Sequence, residues 1–252
     1  MTDLLKADSI TVRFGGVTAN DGVDVTIGDG ELVGIIGPNG AGKTTFIDAI
    51  TGFVPSEGRV QLDGEELSGL AAAARSRAGL VRTWQSVELF GDLSISDNLA
   101  VAAHQPRRFD LLRELVGRGA PRPLARIQSA LDRVGLDGVG DLLPDELSHG
   151  SRKLVGVARA LVSDPRVLCL DEPAAGLDEA ESRELGAQLR ELVDKGMTML
   201  LVDHDMSLVL GVCDRIYVMD TGAVIASGTS DEIRTDPRVL EAYLGTGGAH
   251  TS

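Results

Sequence analysis

Gly37-Pro38-Asn39-Gly40-Ala41-Gly42-Lys43-Thr44 has the spacing GxxxxGK[ST], and its residue types suit a phosphate. The glycines permit positive φ and close backbone approach, so successive N–H groups can wrap a phosphate at a helix N-terminus. Lys43 then neutralises β/γ oxygens, and Thr44 offers a hydroxyl to Mg2+. Further on, the apolar run Val167-Leu168-Cys169-Leu170 ends in Asp171-Glu172. Two adjacent acids there are costly to place unless something charged faces them. A Mg2+ with an attacking water would serve, Asp171 holding the metal through water and Glu172 polarising the nucleophile. Taken alone, the pair also fits a strand that simply ends at the surface. Leu147-Ser148-His149-Gly150-Ser151 leads into a small-residue helix and by itself reads as a cap made by Ser148 or Ser151.

The elements that must position these residues follow from periodicity. Short β-like runs at Ser9 to Phe14, Val23 to Ile27 and Glu31 to Ile36, punctuated by Gly-Gly and Gly-Asp-Gly, predict an antiparallel beginning. The buried-type run from Leu32 to Ile36 leads through the glycine loop into a helix from Lys43 to about Ile50. Between about Ser86 and Asp145 the composition turns to Leu, Ala and Arg, with apolar residues at helical spacing (Leu111, Leu112, Leu115, Val116; Ile127, Leu131, Val134), which predicts a helical lobe. There follow a helix (Lys153 to Leu161), a strand (Val167 to Leu170), a helix (Glu179 to Val193), a strand (Thr198 to Val202), another helix and a small β pair (Arg215 to Met219, Ala223 to Ala226). Strands alternating with helices argue for a parallel sheet covered on both faces. The Gly-rich tail is expected to fray.

With 252 residues and 43 % apolar content, the chain is long enough for one compound domain with a real core. Its net charge of −14 disfavours nucleic acid and anionic lipid as partners. Cys169 and Cys213 sit among apolar residues without metal-ligand spacing and read as buried thiols in a reducing compartment. No apolar run approaches the roughly 18–20 residues of a membrane span, and MTDLLKADSI lacks a signal peptide's pattern. The chain is therefore expected neither to enter a membrane directly nor to be exported.

In this order of motifs, from Ile10 to Gly245, the sequence resembles the ATP-binding cassette (ABC) family, whose signature LSGGQ stands directly ahead of the second acidic strand. The resemblance implies an α/β fold: a P-loop NTPase (ABC ATPase) core with an N-terminal antiparallel β subdomain and an inserted α-helical subdomain. Residues 1–252 would form a single ATP-binding domain. Residues 1–85 and 158–252 would be the nucleotide-binding core, and 86–157 the helical subdomain with the signature. It also implies ATP and Mg2+ as ligands. The catalytic residues would be Glu172, the switch histidine His204 and the loop glutamine Gln85. Residues 37 to 44 with Thr45 would bind nucleotide. Phe14 would stack on adenine, with Val17 as the nearby alternative. Ser148, His149 and Gly150 would complete the site of a second subunit, and Asp178, in Ala175-Gly176-Leu177-Asp178, would belong to the loop crossing that interface. The metal would meet Thr44, Gln85 and Asp171. One chain then makes half of each site, so the expected partners are a second ATP-binding subunit, identical or not, and transmembrane permeases, with the chain peripheral at the cytoplasmic face of the inner membrane.

The signature departs from the family pattern at His149 and Ser151, where Gly and Gln are commonest. Ser151 lacks the amide contact, but every core catalytic residue type is present, so hydrolysis is expected to survive. Four stretches resemble the ATP-binding subunits of branched-chain amino-acid importers, a group that includes urea and amide importers: Arg13-Phe14-Gly15-Gly16-Val17, Arg82 to Phe90, His204-Asp205-Met206 and Asp236 to Gly245. By this resemblance Val87, Leu89 and Phe90 would lie near a permease groove. Two other readings stay open: an exporter ATPase such as that of lipopolysaccharide export, and a soluble non-transport ABC ATPase.

Overall fold

Alternating burial builds the first sheet. Leu5, Ala7, Ile10 and Val12 turn inward on β1 (Asp3–Phe14), and Val23, Val25 and Ile27 on β2 (Val17–Gly28), the period of a strand with one covered face. The two form a hairpin in which Phe14 faces Val17 across Gly15-Gly16. This computed structural model describes residues 3–83, 89–103 and 124–244, and they divide into two compact units, Met1–Gln85 with Pro165–Ser252, and Ser86–Asp164.

In the first unit the antiparallel sheet has the order β2-β1-β4-β5, with β4 at Glu57–Leu62 and β5 at Glu65–Glu66. The second sheet has the order β10-β9-β3-β8-β7-β6. Its strands are β3 (Leu32–Ile36), β6 (Leu80–Arg82), β7 (Val167–Asp171), β8 (Thr198–Val202), β9 (Arg215–Asp220) and β10 (Ala223–Gly228). All pairings are parallel except β9 with β10. Every residue of β3, β7 and β8 is buried, as in a sheet covered on both faces. Helix α1 (Lys43–Thr51) packs against strands of both sheets, contributing Phe46, Ile47 and Ile50 to a core shared with Ile10, Ile27, Ile35 and Val202. Helices α2 (Ala72–Arg77), α6 (Glu179–Asp194), α7 (Met206–Val212), α8 (Ser230–Thr235) and α9 (Pro237–Leu244) belong to the same unit. In the second unit α3 (Ile95–Ala103), α4 (Leu124–Arg133) and α5 (His149–Leu161) pack pairwise.

Three expectations are corrected. The run from Glu31 to Ile36 belongs to the parallel sheet, between β9 and β8, because a strand buried on both faces cannot sit in a sheet with one covered face. The core boundary at 157/158 cuts α5, whose backbone bonds continue through Val162 N to Ala158 O and Asp164 N to Leu161 O; the compact unit ends at Asp164. Cys213 is half-buried, while Cys169 is buried and its thiol is pushed up to about 12 by burial. Leu111, Leu112, Leu115, Val116 and the tail from Gly245 lie outside the described residues.

Candidate active site

The strand β3 delivers the glycine loop to the N-terminus of α1. Gly42 is left-handed (φ 93) at the helix start, and no side chain caps that terminus. A Cβ at Gly42 would collide with the Ala19 carbonyl oxygen and the Asn20 amide, whereas one at Gly40 would point into open space. The loop is thus pinned from behind and open in front. The pinning is specific: buried Asn20 donates through Nδ2 to Gly42 O at 3.1 Å. Gly222 N donates to Ala41 O at 3.1 Å, and Asp21 N to Gly222 O at 2.9 Å. Pro38 and Thr45 are half-buried, Ala41 buried, and Asn39 and Thr44 exposed.

Lys43 is buried and curls back over the loop, donating Nζ to Gly37 O at 2.7 Å and Pro38 O at 3.0 Å. Burial lowers its pKa, and the nearby charges of Glu172, Asp171 and Asp203 act against that shift. A γ-phosphate offers the ammonium a better partner than two carbonyls.

Asp171 ends β7 with its side chain 3 % exposed. Its Oδ2 accepts from Arg82 Nη2 at 2.7 Å, while Oδ1 is buried without a hydrogen-bond partner. Burial pushes this carboxyl up, and Arg82 pulls it down. Glu172 follows in the left-handed region (φ 46), its N–H donating to Val202 O of β8 at 2.7 Å. That turn aims the carboxylate at the loop after β8, where His204 Nδ1 stands 3.7 Å from Glu172 Oε2 and 3.6 Å from Asp203 Oδ1. Both are ion-pair separations, longer than a hydrogen bond, and the imidazole is 56 % exposed.

Two aspartates that sequence reasoning passed over hold His204 in place. Fully buried Asp203 accepts from Ala174 N at 3.1 Å through Oδ2 and from Asp205 N at 3.0 Å through Oδ1, joining the loops after β7 and β8. Burial pushes its carboxyl up, and the backbone donors oppose that. Asp205 caps α7, accepting from Ser207 N and Leu208 N, and takes a bond from Ser182 Oγ at 2.9 Å. The signal was visible in Asp203-His204-Asp205, since acids flanking a histidine after an apolar strand need a structural use. Tyr243 of α9 was also missed as a neighbour of the loop. Burial raises its phenol's pKa, and a hydrogen bond with the Gly37 backbone acts in the opposite direction.

Phe14 and Val17 are 53 % and 66 % exposed at the hairpin end, so neither is a core residue. Asp178 caps α6, its Oδ1 accepting from Ala180 N and Glu181 N, both at 2.8 Å. In the second unit Ser148, rather than Ser151, caps α5: its Oγ accepts from Ser151 N at 3.1 Å. His149 and Gly150 open that helix, and Phe90 is 51 % exposed. Gln85 and Val87 lie outside the described residues. Lys43, Asp171, Glu172 and His204 therefore converge in one unit, and the signature residues lie in the other.

Comparison with known proteins matches residues 20–175 to the family described as ABC transporter, and residues 223–249 to that described as branched-chain amino acid ATP-binding cassette transporter. The chain is 40 % identical over 249 residues to the high-affinity branched-chain amino acid transport ATP-binding protein LivG of Escherichia coli (strain K12), covering 96 % of this chain and 98 % of that protein. It is 39 % identical, with the same coverage, to BraF of Pseudomonas aeruginosa, whose description is the same. Among solved structures, a nucleotide-free ATP-binding cassette from an ABC transporter superposes with a TM-score of 0.84 at 32 % identity, covering 96 % of this chain and 99 % of that one. The ADP conformation of MJ1267, another such cassette, gives 0.85 at 32 %, covering 97 % and 100 %. A phosphate loop, an acidic strand end and a histidine held at the carboxyl ends of the neighbouring parallel strands β3, β7 and β8 agree with these likenesses over nearly the whole length, and the chain belongs to the ABC transporter family, as an ATP-binding subunit of the ATPases that energise transport.

Proposed function

We propose that this subunit hydrolyses Mg-ATP to drive an importer of branched-chain amino acids or related small polar solutes. The observation that carries the chemistry is the convergence of Lys43, Asp171, Glu172 and His204 at the carboxyl ends of β3, β7 and β8. The solute class is supported by the match of residues 223–249 and by the names of the relatives LivG and BraF as branched-chain amino acid transport ATP-binding proteins.

The uncapped start of α1 and the open side of Gly40 receive the phosphates, and Lys43 turns from Gly37 O and Pro38 O to the β/γ oxygens. The residues fit Mg2+. Asp171 Oδ1 is a buried acceptor without a partner, Thr44 is exposed beside the loop, and no cluster of three or more His, Cys, Asp or Glu among the described residues makes a cage. Mg2+ is commonly held by one or two oxygen ligands, waters and substrate phosphates; Thr44 and, through water, Asp171 would hold it, with Gln85 as the third expected contact. When bound it neutralises charge developing on the phosphates. Glu172 orients and polarises the attacking water, while His204 and Lys43 stabilise charge on the transferred group.

Ser148, His149 and Gly150 at the start of α5 serve the nucleotide of a second ATP-binding subunit in a head-to-tail dimer. Permeases attach to the helical subdomain, in the region of Val87, Leu89 and Phe90, and follow its movement. No helix among the described residues is long and apolar enough to cross a membrane; attachment to the permeases holds the subunit peripherally at the cytoplasmic face. Affinity capture of Glu172→Gln from its native membranes with Mg-ATP tests the whole reading. Permeases and an ATP-binding partner are the expected co-purifying proteins; recovery of soluble proteins alone overturns the transport assignment.

A further inference from the structure

Arg82 is an arginine where an apolar residue would be expected. Its side chain is only 4 % exposed, at the end of β6, opposite Cys169 of β7. Thr83 N donates to Cys169 O at 2.9 Å just beyond it, and the Phe53 ring lies 5.9 Å from its guanidinium carbon. From that fixed base the guanidinium forks. Nη2 donates to Asp171 Oδ2 at 2.7 Å, and Nη1 to Asp48 Oδ1 on α1. Three residues distant in sequence thus lock the helix that carries the glycine loop to the strand that carries the metal acid.

We propose that Arg82 is a positioning residue for metal binding: it clamps Asp171 by Oδ2 against Asp48 and leaves Oδ1 alone to face the metal's water. The inference rests on the reading of Asp171 as a metal acid. An aspartate carboxylate is otherwise free to turn about a broad, nearly two-fold torsion, and a buried carboxylate without a partner is costly. The planar fork removes both problems at once, because one arginine reaches two carboxylates in fixed directions, which a single ammonium does not reproduce. Outer residues that orient ligating ones typically change metal affinity by about 10–100-fold when removed.

The test uses the full chain with Arg82→Met, Arg82→Lys and Asp48→Asn, and Mn2+ as the probe. Mn2+ retained with ATP is counted by electron paramagnetic resonance in the cold, and ATP affinity is measured separately in EDTA. Arg82→Met is expected to weaken Mn2+ binding about 10–100-fold with ATP affinity in EDTA unchanged within twofold. Arg82→Lys should recover part of the loss, and Asp48→Asn should cause a smaller one. Should Arg82→Met not fold, the other two variants carry the same comparison. Mn2+ affinity unchanged within twofold in the variants that fold, or a parallel fall of ATP affinity in EDTA, overturns the inference. Asp171→Asn separates it from its premise: if that variant keeps wild-type Mn2+ affinity, the reading of the site fails. If Asp171→Asn loses the metal while the Arg82 variants keep it, only the role of Arg82 fails.

Discussion

Glu172 occupies a backbone region that costs an L-residue about 1–2 kcal/mol, with φ at 46, and it sits between Asp171 and His204. Strain held at such a position is sustained by the surroundings, here the bond from Glu172 N to Val202 O, and it aims a side chain that a regular strand end would turn away. Three substitutions separate conformation, chemistry and nucleotide binding. Glu172→Gln keeps the shape and is expected to retain ATP affinity while turnover falls about 100- to 10,000-fold, whereas Lys43→Ala weakens binding itself; equilibrium binding and steady-state hydrolysis measure the two. Glu172→Gly relieves the strain, so its midpoint in urea should not fall below that of Glu172→Gln, although it is equally inactive. A lower midpoint would mean that the left-handed geometry is not a burden.

Helix starts do double service in this chain. Ser148 caps α5, Asp178 caps α6 and Asp205 caps α7, and each lies in or beside a stretch that sequence reasoning assigned to nucleotide or interface contacts. The Asp178 carboxylate accepts two backbone N–H bonds while Glu181 reaches back to Asp178 N at 3.2 Å, a reciprocal capping box. Asp178→Ala is expected to lower unfolding free energy by about 1 kcal/mol, and Asp178→Asn to restore most of it, because asparagine caps nearly as well. Urea denaturation of the two variants checks this, and the asparagine variant then isolates any interface role from the loss of the cap.

At the scale of the whole molecule, a net charge of −14 sets two copies against each other before any contact forms. If the proposed head-to-tail dimer closes on ATP, light scattering of Glu172→Gln with Mg-ATP should show a doubled mass. The dimer fraction should rise between about 20 and 200 mM salt as the shared field is screened. A monomer at both salt concentrations with saturating Mg-ATP counts against the split site.

What could be read in the sequence was what is contiguous. The passage from β3 through residues 37 to 44 into α1 was legible because strand, turn and helix are adjacent, and each follows from local periodicity and glycine placement. Asp171-Glu172 at the end of an apolar run was legible for the same reason. The strands β4, β5 and β6 carried no such signal: β5 and β6 are two and three residues long, and only Val60 and Leu62 of β4 turn inward. Tertiary structure alone brought together residues 48, 82 and 171, placed Asn20 behind Gly42 and joined the loops after β7 and β8 through Asp203. Such contacts depend on the order of strands in a sheet, and that order is decided by which faces can be buried together, not by any pattern along the chain.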